Sequence, residues 1–123
     1  KITIINRSKR KIKFQKKPEY TKPYSNLEKL LPSADLIINT TPINPINKKM
    51  KKLIKKTSLL SDINYRPKET SFLKEFKENK KIYGISMLLN QASESFVLWF
   101  GFKPKTDPKL LKILENKIKW QKL

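Results

Sequence analysis

Four clusters of polar residues in this 123-residue chain each stand at the end of a short apolar run. Asn6-Arg7-Ser8, with Lys11 close behind, follows KITII. A guanidinium can grip a phosphate in bidentate fashion, and a neighbouring hydroxyl and ammonium add donors and charge. An ordinary basic loop would use the same residues. Asn39-Thr40-Thr41-Pro42 follows ADLIIN, which puts two hydroxyls at the carboxyl end of an apolar strand, where open α/β sheets place ligands. Turn chemistry closed by Pro42 accounts for them equally well. Asp62-Ile63-Asn64-Tyr65 closes TSLLSDI in the same way. The last cluster is Gly84, Met87 and Gln91: a position open to close backbone approach, a soft apolar wall, and an amide with both donor and acceptor on one helix face.

Other chemistries are excluded by composition. The chain has no Cys and no His, so it carries no disulfide framework, no Cys-ligated metal, no iron–sulfur cluster and no thiol nucleophile of its own. Any Ser-His or His-metal chemistry must come from elsewhere for the same reason. No apolar run approaches membrane-spanning length, and no signal peptide opens the chain. Residue 1 is Lys rather than Met, which reads as a piece of an open reading frame or as a trimmed chain.

A formal charge of +19, from 29 basic against 10 acidic residues, raises the question of nucleic acid. Base readout favours arginine and interleaved exposed aromatics, yet the chain has 26 Lys and 3 Arg. Lysines spread over solvent-facing surfaces are the better reading.

The elements that must hold the four clusters alternate. Ile2 to Ile5 reads as a strand, Asn26 to Leu31 as a helical turn or two ended before Pro32, and Ala34 to Asn39 as a parallel strand covered on both faces. Residues 10–17 are ambiguous, and Pro18 and Pro23 stop any helix there. Asn47 to Lys56 places Met50, Leu53 and Ile54 at helical spacing among lysines. Thr57 to Ile63 is the next strand. Thr70 caps a helix reaching about Asn79, with Phe72, Leu73 and Phe76 inward. Lys81 to Tyr83 forms a short strand halted by Gly84. Ser86 opens a helix to Phe100 with Leu88, Leu89, Ala92, Phe96, Trp99 and Phe100 as an apolar stripe, and the last three aromatics are expected in the core. Asp107 caps a final helix starting at Pro108, with Leu110, Leu111, Leu114 and Ile118 along one side. Repeated strand–helix units predict an α/β fold with a parallel sheet. With 2 glycines in all, the chain has no Gly-rich pyrophosphate turn: nucleotide binding is improbable if the first visible strand opens the domain, whereas if it is the second strand that turn lies upstream of Lys1.

ADLIINTTPI, DINYRPKETSFL and GISMLLNQASESFVLWFG, in that order, resemble the carboxy-terminal half of shikimate dehydrogenases, and IINRSKRK resembles the signature that follows the second strand of that family's NADP domain. The resemblance spans Ile2 to about Ile118. It implies an incomplete Rossmann-like domain over residues 1–84, and carboxy-terminal helices over 85–123 returning toward a substrate domain. It implies NADPH-dependent reduction of 3-dehydroshikimate to shikimate by a cytoplasmic enzyme, a homodimer in one reading. The family's catalytic Lys and Asp belong to its amino-terminal half, so this chain alone is expected to have no turnover.

By the same resemblance, Asn6, Arg7, Ser8 and Lys11 meet the 2′-phosphate of NADP, and Thr40 meets the cofactor's ribose or nicotinamide side. Ile63, Gly84 and Met87 lie beside the nicotinamide, and Tyr65 and Gln91 contact the substrate. Asn44 stands where the family usually has Gly, and it would preserve the turn by tolerating positive φ. Ser86 replaces a common Gly or Asp. Three alternatives stay open: a relative acting on quinate or another polyol acid, a remnant that has lost its cofactor, and a polyanion binder.

Overall fold

Two small parallel sheets carry the clusters. The computed structural model describes residues 1–7 and 20–120. Strand β1 (Thr3–Asn6) pairs in parallel with β2 (Tyr20–Pro23), with Asn6 opposite Pro23. The second sheet has the order β3 (Leu36–Asn39), β4 (Leu59–Asp62), β5 (Lys81–Ile82), again parallel, with Asn39 opposite Asp62. Parallel neighbours need crossovers. In the second sheet they contain α2 (Lys48–Lys51) and α3 (Ser71–Lys74), while α1 (Leu27–Leu30), between two 3-10 turns, lies on the connection from β2 to β3. Helices α4 (Gly84–Phe100) and α5 (Pro108–Trp120) follow and pack on each other. The fold is α/β, with partial parallel sheets.

Local chemistry sets the boundaries. Asn47, Thr70 and Asp107 cap their helices by accepting from the backbone N–H groups of Met50, Leu73 and Leu110. Gly101 ends α4 at φ 76°, the left-handed conformation that favours glycine. Helices α2 and α3 each stop after 4 residues, sooner than their periodicity predicts, yet their apolar residues still turn inward. Strand β2 has almost no signature of its own: YTKP contains one β-branched residue, and Pro23 is tolerated because it ends the strand. Helix α4 begins at Gly84, not Ser86, so this glycine starts the helix instead of halting the strand.

The core lies under the second sheet. Leu31, Ile46, Ile54, Leu60, Phe72, Leu73 and Phe76 are buried together, with Ile37, Met50, Leu53 and Tyr83 packed against them. The Phe72 and Phe76 rings meet edge-on, centroids 5.6 Å apart. The lysines of α2 point to solvent, as the amphipathic reading requires.

Two core expectations are corrected. Strand β3 is covered on one face only: Ile37 packs inward, whereas Leu36 is 48% and Ile38 53% exposed. Alternate residues of a strand face opposite ways, and no described element overlies the second face. The end of α4 is also outside the core, with Trp99 75% and Phe100 59% exposed. Phe96 is half-buried, with the Phe100 ring tilted against it at 4.4 Å and the Phe102 ring edge-on at 5.2 Å between centroids. Burial in the 17-residue helix is confined to Gly84, Ile85 and Ser93, away from its carboxyl end.

Candidate functional site

The carboxyl ends of β3 and β4 are joined by a closed ring of hydrogen bonds. Asp62, 1% exposed, accepts from Asn39 Nδ2 at 3.1 Å, from Thr70 Oγ1 at 2.7 Å, and from the backbone and side-chain nitrogens of Asn64 at 3.0 and 2.9 Å. Asn64 Nδ2 also donates to Thr41 O at 2.7 Å. Thr41 N then donates to Asn39 Oδ1 at 3.0 Å, and the Thr41 hydroxyl lies 2.7 Å from the same oxygen. Sequence inspection treats Asp62 and Asn39 as the ends of strands and assigns them no task. The available signal is an acid closing a short strand, with a helix-capping Thr eight residues later. A buried carboxylate is tolerable only where donors converge on it.

This ring brings four of the singled-out residues together. Thr40 sits between Asn39 and Thr41, and Ile63 between Asp62 and Asn64, with Ile63 N bonded to Asn39 O at 3.0 Å. Gly84 abuts the same loop: a Cβ there would lie 2.5 Å from both Ile63 O and Asn64 O. Glycine is therefore required here by the packing of α4 on the protein's own backbone. Met87 and Gln91 follow Gly84 at helical spacing on α4, and both are exposed. Tyr65 is half-buried, and the Arg66 guanidinium carbon lies 5.7 Å from its ring centroid.

The remaining predicted residues are placed less completely. Asn6 ends β1, half-buried, and Arg7 follows it, exposed. Ser8 and Lys11 lie outside the described residues. Asn44 adopts no positive φ; its Oδ1 accepts from Ile46 N at 2.9 Å and its Nδ2 donates to Glu75, so a side-chain-closed turn replaces the expected backbone tolerance.

A cavity of about 320 Å³ opens beside the ring, lined by Pro42, Ile43, Asn64, Arg66, Ser71 and Lys74 among others. It contains none of the predicted ligand residues. The loop after Tyr65 is tied down by Lys68, which pairs with Glu115 of α5 at 2.7 Å, and by Glu69, whose carboxyl is held below its ordinary range by the hydrogen bond from Lys81. No group of three or more acidic side chains among the described residues could hold a metal ion. No helix among them is long and apolar enough to cross a membrane.

No protein-family model matches the chain. It is 35% identical to the shikimate dehydrogenase (NADP(+)) of Methanococcus maripaludis over 84% of its own length and 42% of that protein's. Among solved structures, a shikimate dehydrogenase from Peptoclostridium difficile superposes with a TM-score of 0.68 at 27% identity, covering 98% of this chain and 46% of that one. The shikimate 5-dehydrogenase of Thermus thermophilus, solved with NADP(H) and shikimate, superposes with a TM-score of 0.63 at 28% identity, covering 80% of this chain and 38% of that one. The chain thus spans less than half the length of the proteins it matches.

Proposed function

Because this chain belongs to the shikimate dehydrogenase family, we propose that it is the cofactor-binding, carboxy-terminal part of a cytoplasmic enzyme that reduces 3-dehydroshikimate to shikimate with NADPH. The observation that carries this reading is the convergence of Thr40, Ile63, Tyr65 and the Gly84 end of α4 at the carboxyl ends of two parallel strands. Open α/β sheets bind nucleotides and their substrates at such ends.

The donors present fit NADP. Arg7 is exposed at the end of β1, and no carboxylate stands among residues 1–7 to claim a ribose 2′-hydroxyl. Asn6, Arg7, Ser8 and Lys11 hold the 2′-phosphate, and Thr40 hydrogen-bonds the ribose side. Ile63, Met87 and the start of α4 at Gly84 wall the nicotinamide, while Tyr65 and Gln91 orient the substrate's polar groups. NADPH, when bound, supplies the hydride for the ketone carbon. The proton falls to the Lys/Asp pair of the family's amino-terminal half.

Residues 1–84 then form part of the NADP domain, and 85–123 return toward the substrate domain. The exposed Leu98, Trp99, Phe100 and Phe102 support that division, since an aromatic surface of this kind is normally covered in a complete enzyme. The test joins the amino-terminal portion of the Methanococcus maripaludis relative to residues 1–123 and assays shikimate and quinate with NADP and NAD. Shikimate-dependent NADP reduction is expected. Inactivity on both substrates, with the relative's own enzyme active alongside, would overturn the reading.

A further inference from the structure

We infer that Asp62 is a positioning residue that locks the cofactor-facing and substrate-facing loops to each other, an inference that rests on the function proposed above. Its carboxylate lies at the last rung of β4, opposite Asn39 at the last rung of β3. Through Asn39 it holds the first residue of the Asn39-Thr40-Thr41 triplet, and through Asn64 Nδ2, which bridges Asp62 Oδ1 and Thr41 O, it holds the third. In the Asp62-Ile63-Asn64 triplet both outer residues belong to the same ring. Thr40, exposed, and Ile63, half-buried, are each the middle residue of a clamped triplet, so their backbone is held from both sides. Tyr65 follows the second triplet directly.

The ring also reaches α3, because the Thr70 hydroxyl that caps the helix donates to Asp62 Oδ2 at 2.7 Å. A charge that is 1% exposed cannot exchange these donors for water, so the loops can part only by stranding it. Preorganisation of this kind matters because a small misplacement of reacting groups lowers the rate steeply, on the order of 100-fold for 1 Å.

Two measurements test the lock. In the 123-residue chain, amide hydrogen exchange is followed at Thr41 and Asn64 in Asp62→Asn and, should that variant not fold, in the milder Asn64→Ala. Both amides are expected to speed up together by tenfold or more, with the Thr40 methyl and Tyr65 ring resonances shifting; acceleration at Asn64 alone would overturn the coupling. In the joined enzyme described above, Asp62→Asn is expected to lower kcat for shikimate at least tenfold at temperatures where it is fully folded. A variant with unchanged kcat and KM and only a lower Tm would reduce Asp62 to a structural group. Absence of turnover in the unsubstituted joined enzyme counts against the proposed function, and the exchange experiment then decides the lock by itself.

Discussion

The Asn39 carboxamide donates to the Asp62 carboxylate at 3.1 Å, and the two residues are register partners at the last rung of a parallel strand pair. Both side chains are buried, at 4% and 1% exposure. Successive side chains of a strand point to opposite faces, so register partners on adjacent strands share a face. Here that position is given to a polar pair, and Thr40, Ile63 and Tyr65, all proposed to touch ligand, lie within three residues of it in the chain.

Thr70 should respond as a member of this pair's network. Thr70→Val keeps the shape but removes both the helix cap and a donor to the buried carboxylate. A cost of about 2–4 kcal/mol is expected, from roughly 1 for the cap and roughly 1–3 for the orphaned acceptor. Thr70→Ser should recover most of it, as read from the urea midpoint at constant m-value.

Gly84→Ala distinguishes space from propensity. On helix propensity alone alanine would stabilise the first turn of α4 by up to ~1 kcal/mol. The new methyl would instead meet two backbone oxygens at 2.5 Å, neither of which can rotate away. Net destabilisation of about 1–3 kcal/mol is expected from overpacking, with a lower Tm as the observable. A rise in Tm would mean that the backbone contact is absent.

Acid should weaken the protein in a defined window. Lys81 holds Glu69, and Lys55 holds Asp35, below their ordinary values of 4.5 and 3.8, chiefly through side-chain hydrogen bonds. A depressed folded pKa gives stability that is complete above the unfolded value and is lost as pH falls through the folded one. Tm should therefore be flat from pH 7 to about 5 and fall below about 4.5. Glu69→Gln should lower the plateau and shallow the acid limb, and an unchanged limb would exclude that pair as a contributor.

Arg7→Ala should separate the two nicotinamide cofactors in the joined enzyme. Loss of a charged hydrogen bond worth ~2 kcal/mol weakens NADP roughly 30-fold. NAD, which lacks the phosphate, should bind as before. Equal weakening of both, measured by calorimetry, would move Arg7 away from the 2′-phosphate.

Much of this was legible from residue order. The alternation of short apolar runs with helix-period segments specifies an α/β chain because strand and helix periods expose different faces, and Thr70 and Asp107 mark helix starts because their oxygens are the natural partners of unpaired amides. The motif order likewise indicated the family. What had to wait for three dimensions were relationships between distant residues. Strand β2 exists through its pairing with β1, not through its own composition. Trp99 and Phe100 look like core on a helical wheel, yet burial depends on a covering element, which no periodicity contains. The Asp62 ring joins positions up to 31 residues apart in the chain, from Asn39 to Thr70, because parallel register places Asn39 opposite Asp62. Register is a property of two strands together, so neither strand's residues could announce it.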